Sequence, residues 1–134
     1  MIKKWIISIL ILNTSFNQTK SFVYYKCLPF SAKTAYPITE EILIKMKLDT
    51  KGYIRAKKLY GLKTRNNVLK ILTKITTRQK IVLADYDLRF LIAVDNRQYF
   101  VNWDKKHLVL NKSVYPITLL ELESIRKELN CKCN

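Results

Sequence analysis

The most constraining feature of the sequence is a succession of four short apolar segments between Leu88 and Tyr115. Polar turns at positions 95–98, 104–106 and 111–113 separate the segments. Runs of β-branched and aromatic residues that recur about every ten positions, with Asn and Asp between them, are typical of an antiparallel meander. The four predicted strands are Leu88–Val94, Tyr99–Trp103, His107–Leu110 and Val114–Tyr115.

Two helices are predicted outside this meander. The first covers residues 66–77, where Asn66 or Asn67 can cap the N-terminus. The second begins after Thr118, because Thr118 and Glu121 have the spacing of a capping box. The apolar residues that share a helix face are Val68, Ile71, Leu72 and Ile75 in the first helix and Leu119, Leu122, Ile125 and Leu129 in the second.

The stretch between residues 39 and 60 gives conflicting signals. Thr39, followed by two glutamates, favours a helix, whereas the alternation of apolar residues with lysine over 44–48 favours a strand. Because residues 49–52 have turn composition and residues 53–60 again have strand composition, we predict a hairpin across that turn.

The remaining strands complete the predicted fold. Residues 22–28 form a strand that Pro29 ends, and residues 80–84 enter the sheet. We therefore predict an α+β fold, with an antiparallel meander sheet of five to seven strands and two α-helices packed on one face. Alternation around Arg89 predicts that one set of residues in the first meander strand faces the helices. This set is Leu88, Phe90, Ile92 and Val94.

The N-terminal residues have the layout of a secretory signal. Lys3 and Lys4 precede an apolar run, Trp5–Leu12, which is far shorter than the ~20 residues of a membrane-spanning helix. We predict a signal peptide over 1–17 and a single small domain over 18–134, either periplasmic or secreted, with no transmembrane segment in the mature chain. The alternative is an uncleaved N-terminal helix.

The chain has three cysteines, Cys27, Cys131 and Cys133. An oxidising compartment favours a disulfide, and Cys131 and Cys133 are too close in sequence for a relaxed pair. Cys27 is therefore predicted to pair with one of them, a constraint worth about 4–5 kcal/mol in the chain-entropy model. The third thiol would be free or would pair between chains. Zinc would require His107 as a further ligand, and we predict neither a metal nor a cofactor.

Candidates for catalysis are few. His107 is the single histidine and follows two lysines. Asp85 and Asp87 would share one face of a strand, where they could bind a cation or do acid–base chemistry, or could pair with Arg89. With two glycines in the chain there is no Gly-rich phosphate loop. An enzyme would need a cleft that joins His107 to one of these aspartates, and we favour a protein that is not an enzyme.

Positive charge is concentrated in the middle of the chain. The 25 basic and 10 acidic residues give a formal charge of +15. Between Lys45 and Lys80, twelve basic residues accompany one acidic residue. On the first helix, Lys70, Lys74 and Arg78 follow one another at one-turn spacing away from the apolar face. The candidate residues for binding an anionic partner are Arg55, Lys57, Lys58, Lys63, Arg65, Lys70, Lys74 and Arg78.

An anionic partner would account for this basic region, although a lysine-rich composition that simply keeps a surface solvated is the alternative. The sequence has no base-recognition motif, so sequence-specific nucleic-acid binding is not expected. We predict a small exported, non-enzymatic binding protein that acts as an inhibitor, immunity or accessory factor. It would dock an acidic protein surface or another polyanion. The alternatives are a small exported hydrolase and a peripheral envelope protein at an anionic membrane surface.

Overall fold

The computed structural model describes residues 22–49 and 51–133. The predicted signal peptide over 1–17 lies outside the described residues. Six strands form one antiparallel sheet, accompanied by three helices. In chain order the elements are β1 (Phe22–Cys27), α1 (Glu40–Lys45), β2 (Arg55–Tyr60), α2 (Leu62–Thr76), β3 (Leu88–Val94), β4 (Arg97–Asn102), β5 (His107–Leu110), β6 (Ser113–Pro116) and α3 (Leu119–Leu129). The strand order across the sheet is β2-β1-β3-β4-β5-β6. The predicted α+β fold is confirmed.

Tight turns connect neighbouring strands in the meander from β3 to β6. Asp95 and Asn96 connect β3 to β4 with φ values of 52° and 60°, and Asn111 and Lys112 connect β5 to β6 with φ values of 49° and 67°. Two-residue connections with positive φ at both positions match the right-handed twist of the flanking strands. Asn and Asp tolerate this conformation better than most residues, so the local sequence favours these hairpins.

The predicted hairpin between residues 39 and 60 is wrong. Residues 40–45 form α1, whose N-cap Thr39 accepts a hydrogen bond from the backbone N–H of Ile42. In this helix the side chain of Leu43 is completely buried. β2 instead pairs along its full length with β1.

Two other boundaries differ from the prediction. The segment over 80–84 forms no strand, and only Ile81 bridges to Val114 of β6. α2 begins at Leu62, earlier than predicted, so Asn66 and Asn67 lie inside the helix and the predicted cap at these positions is wrong. Gly61 makes this start possible, since its φ of 133° lies in a region that other residues rarely adopt.

The main core lies between the sheet and the two longer helices, as predicted. Its buried helix residues are Val68, Leu72 and Ile75 of α2 and Leu122, Ile125 and Leu129 of α3. They pack on Val23, Tyr25 and Cys27 of β1 and on residues of the meander that include Phe90, Ile92, Val94, Tyr99 and Val101. Leu119, which was expected on the buried face of α3, is 59% exposed.

The opposite face of the sheet carries a smaller core under α1. Leu43 and Ile38 pack there on Leu91 and Phe100. The buried ammonium group of Lys26 donates a hydrogen bond of 2.8 Å to the carbonyl of Ile44, in the last turn of α1. A cation is favourable at a helix C-terminus, so this contact helps to hold α1 on the sheet. Burial lowers the pKa of Lys26.

A β-bulge explains one error in the predicted core. Phe90, Ile92 and Val94 face the longer helices, but Leu88 belongs to the smaller core on the other face. The register shifts between Leu88 and Phe90, which pair with the consecutive residues Asn102 and Val101. The extra residue breaks the alternation of side chains at this point.

Candidate functional site

The exposed face of α2 carries a stripe of three lysines: Lys63, Lys70 and Lys74. At 3.6 residues per turn their side chains project within about 40° of one another around the helix axis. They lie opposite the buried residues Val68 and Leu72, so the apolar face of α2 fixes the direction of the stripe. We refer to these three residues as the lysine stripe.

No acidic side chain neutralises the lysine stripe within its own segment. The sequence has no Asp or Glu between Thr50 and Ala84. In the part of the chain that the structure describes, no ion pair involves any of the three lysines. The stripe is therefore an uncompensated positive surface.

A second group of basic residues lies on β2, at one edge of the sheet. Arg55, Lys57 and Lys58 are all exposed. The ammonium nitrogen of Lys58 lies 4.4 Å from the centroid of the Phe22 ring, a cation–π contact. The ring of Tyr60 lies 6.1 Å from the same Phe22 ring and is 69% exposed. Basic and aromatic side chains are thus interleaved along this edge.

Two of the predicted anion-binding residues have partners inside the protein. Arg65 donates hydrogen bonds of 2.9 and 2.7 Å to the carboxylate of Asp95. Arg78 lies beyond the end of α2 and donates hydrogen bonds of 2.7 and 2.5 Å to Glu121 and one of 3.0 Å to the carbonyl of Pro116. Arg78 thus joins the end of α2 to the start of α3 rather than extending the row of Lys70 and Lys74, and Lys63 completes the stripe in its place.

Of the two predicted aspartates, Asp87 has a structural role. Asp87 forms an ion pair with Arg89, whose side chain is only 3% exposed, and accepts a hydrogen bond of 2.8 Å from the backbone N–H of Ile38. Burial would raise the pKa of Asp87, but the hydrogen bonds from Arg89 and Ile38 outweigh it and lower the pKa. Asp85 lies exposed in the preceding loop. The predicted common strand face for the two carboxylates is not formed.

His107 pairs with a different carboxylate, that of Asp104. Its Nδ1 atom is 2.6 Å from the carboxylate of Asp104, three positions away. A concavity of about 630 Å³ lies over the β3–β4 turn, lined by residues that include Arg65, Asp95 and Phe100. Its lining contains neither His107 nor Asp85 nor Asp87. This concavity therefore does not join His107 to either aspartate.

The cysteines form a compact cluster at the end of β1. Cys27 and Cys133 form a disulfide with a Cα–Cα distance of 6.1 Å, which confirms that Cys27 pairs with one of the two C-terminal cysteines. Cys131 is a free, partly buried thiol. The three sulfur atoms lie within 4.8 Å of one another. Because two of them are joined in a disulfide, the cluster in this form does not offer the set of thiolates that zinc requires.

Sequence reasoning could not identify the partners of the basic residues. Asp95 is 30 positions from Arg65, and Glu121 is 43 positions from Arg78. One signal was present in the sequence. The capping box predicted at Thr118 is confirmed, and it holds Glu121 at the N-terminus of α3, where Arg78 meets it.

Comparison of the chain with protein-family models, characterised proteins and solved structures gave no match. Among the described residues, no helix has both the length and the apolar character needed to cross a membrane. The site is therefore understood from its own geometry and charge.

Proposed function

We propose that the protein is a small exported, non-enzymatic binding protein of the inhibitor, immunity or accessory type, which docks an anionic partner through the lysine stripe of α2. The partner would be an acidic protein surface or another polyanion. The proposal is carried by three exposed lysines on one helix face, with no carboxylate paired to any of them in the described structure.

The lysine stripe has opposing effects on its own helix, because Lys74 in the last turn is favourable to the helix dipole whereas Lys63 in the first turn is unfavourable. Lys70 and Lys74 stand one turn apart, and like charges at this spacing destabilise a helix by about 0.2–0.5 kcal/mol. α2 also has no acidic residue in its first turn that would offset them. The packing of α2 depends on its apolar face, so the lysines are free to serve an interaction.

The basic residues on β2 support the proposal less strongly. An edge strand exposes unpaired backbone groups, and lysines on such a strand hinder pairing with another chain. Lys57 and Lys58 lie on the edge strand β2, so they can protect this edge from pairing with another chain even in the absence of an anionic partner. Tyr60, beside them, offers an exposed aromatic contact at the margin of the basic surface.

Export is supported by the cysteine chemistry. Disulfides persist in oxidising compartments outside the cytoplasm, and Cys27 is joined to Cys133. The N-terminal sequence has the basic and apolar segments of a secretory signal. Both features agree with a protein that meets its partner outside the cytoplasm.

Heparin affinity tests the binding surface. The variant Lys63→Gln/Lys70→Gln/Lys74→Gln should elute at lower salt than the wild type, because fewer counterions are released on binding. Its urea unfolding midpoint should stay close to that of the wild type, since exposed substitutions away from structural contacts usually cost within about 0.5 kcal/mol each.

A matched control removes the same charge elsewhere. Lys33, Lys106 and Lys127 are exposed and take part in no ion pair in the described structure. Changing these three to Gln should shift elution less than changing the lysine stripe. Equal elution of the two triple variants would show that only total charge matters, and would refute the lysine stripe as a docking site.

A further inference from the structure

The three cysteines combine a free thiol with a disulfide in one cluster. Cys131 lies with its sulfur within 4.8 Å of the sulfurs of both Cys27 and Cys133. We propose that the cluster is a thiol–disulfide exchange site, in which Cys27 is linked in turn to Cys133 and to Cys131. This inference does not depend on the proposed docking function.

The exchange step balances within the protein. The thiolate of Cys131 attacks Sγ of Cys27 and forms a new disulfide, while the Cys27–Cys133 bond breaks. Cys133 leaves as a thiolate and takes up a proton. One disulfide and one thiol are present before and after the step, so it needs neither an oxidant nor a reductant.

The two linkages impose nearly the same constraint on the chain. Cys27 and Cys133 are 106 positions apart, and the Cys27–Cys131 loop is two positions shorter. Loop-closure entropy depends on the logarithm of loop length, so it does not discriminate between the two pairings. Both C-terminal cysteines also pack against the same core, Cys133 buried and Cys131 partly buried. Neither the loop-closure entropy nor the packing against the core strongly favours one disulfide over the other.

The surroundings of Cys131 set the pH range of the exchange. Burial raises the pKa of its thiol, opposed by a backbone hydrogen bond at Cys133, the charges of Arg126 on α3 and Arg55 on β2, and a hydrogen bond with Tyr25 on β1. Since the thiolate is the attacking species, the initial exchange rate should rise about tenfold per pH unit below that pKa. Cys131 is also the most accessible of the three cysteines, because Cys27 and Cys133 are buried.

Disulfide mapping of the full oxidised protein tests the proposal. After incubation at mildly alkaline pH, the free thiol is trapped with N-ethylmaleimide in mild acid and the protein is digested with trypsin. Cleavage after Lys132 separates Cys131 from Cys133, and cleavage after Lys26 begins the peptide of Cys27. The label should appear on both C-terminal cysteines, with a share on Cys133 that grows with time and pH. Label confined to Cys131 throughout would overturn the proposal.

Two variants give an independent readout. Cys133→Ser should form an intramolecular Cys27–Cys131 disulfide and should unfold at nearly the same urea concentration as Cys131→Ser, which retains Cys27–Cys133. Two free thiols in Cys133→Ser under oxidising conditions would contradict exchange. Should Cys133→Ser fail to fold, the labelling of the wild type decides the matter alone.

Discussion

The ion pair between Arg78 and Glu121 gives a quantitative prediction for stability. Glu121 accepts two hydrogen bonds from Arg78, and also bonds of 3.0 Å from both the backbone N–H and the hydroxyl of Thr118. The side chains of Arg78 and Glu121 are 27% and 12% exposed. The pair therefore joins two helices in a largely desolvated setting, where charged hydrogen bonds contribute more than at an open surface.

The pKa of Glu121 sets the expected magnitude. Burial would raise it, but the hydrogen bonds from Arg78 and Thr118 outweigh burial and lower the pKa from 4.5 to about 2. At 1.36 kcal/mol per pKa unit, this corresponds to about 3 kcal/mol of stability from ionised Glu121. Because the folded pKa is the lower one, the contribution is fully present above about pH 4.5 and is lost as the pH falls towards 2.

The perturbation is Glu121→Gln, measured by urea unfolding between pH 7 and pH 3. At pH 7 the variant should be less stable than the wild type by about 3 kcal/mol, and the difference should fall by more than half at about pH 3. The control is Glu123→Gln on the same helix, where the carboxylate side chain is 52% exposed and pairs with Arg126. Its cost should stay below about 1 kcal/mol. A loss under about 1 kcal/mol for Glu121→Gln, or a loss independent of pH, would refute the reasoning.

Three further predictions follow from the core, the disulfide and the N-terminus. Phe90→Ala should cost about 3–5 kcal/mol in urea melts, since Phe90 is fully buried between the sheet and the longer helices, and a loss below about 1 kcal/mol would contradict its place in that core. Cys27→Ser removes either disulfide linkage and should cost about 4–5 kcal/mol relative to the oxidised wild type, with a much smaller loss counting against a loop-closure role. N-terminal sequencing of protein recovered outside the cytoplasm should begin between Phe16 and Ser21, whereas an intact N-terminus on cytosolic protein would refute export.

The meander and the two longer helices could be predicted because their signals are local. The turns at 95–96 and 111–112 contain residues that accept positive φ, and the capping box at Thr118 lies within four residues. Turns and capping boxes depend on interactions between residues a few positions apart, so they can be predicted from the sequence before any tertiary contact is known. The basic character of residues 45–80 is likewise a property of the sequence alone.

Local signals failed where competing patterns were comparable. Over residues 40–48 a capped helical start and an alternating strand pattern coexist, and the burial of Leu43 against the sheet favours the helix. At Leu88 a bulge reverses the face that simple alternation predicts. In both places tertiary packing overrides local preference, because the burial of whole side chains outweighs small differences in propensity.

The sequence by itself determined the meander, the capped start of α3, the charge of the middle segment and the limited choice of partners for Cys27. Only the tertiary structure decided that Cys133 rather than Cys131 forms the disulfide, that Cys131 lies close to it, and that Arg78 pairs with Glu121. The physical reason is distance along the chain. Periodicity, turns and caps depend on neighbours a few positions away, whereas these pairings join residues 43 to 106 positions apart and are settled only when the sheet and helices pack.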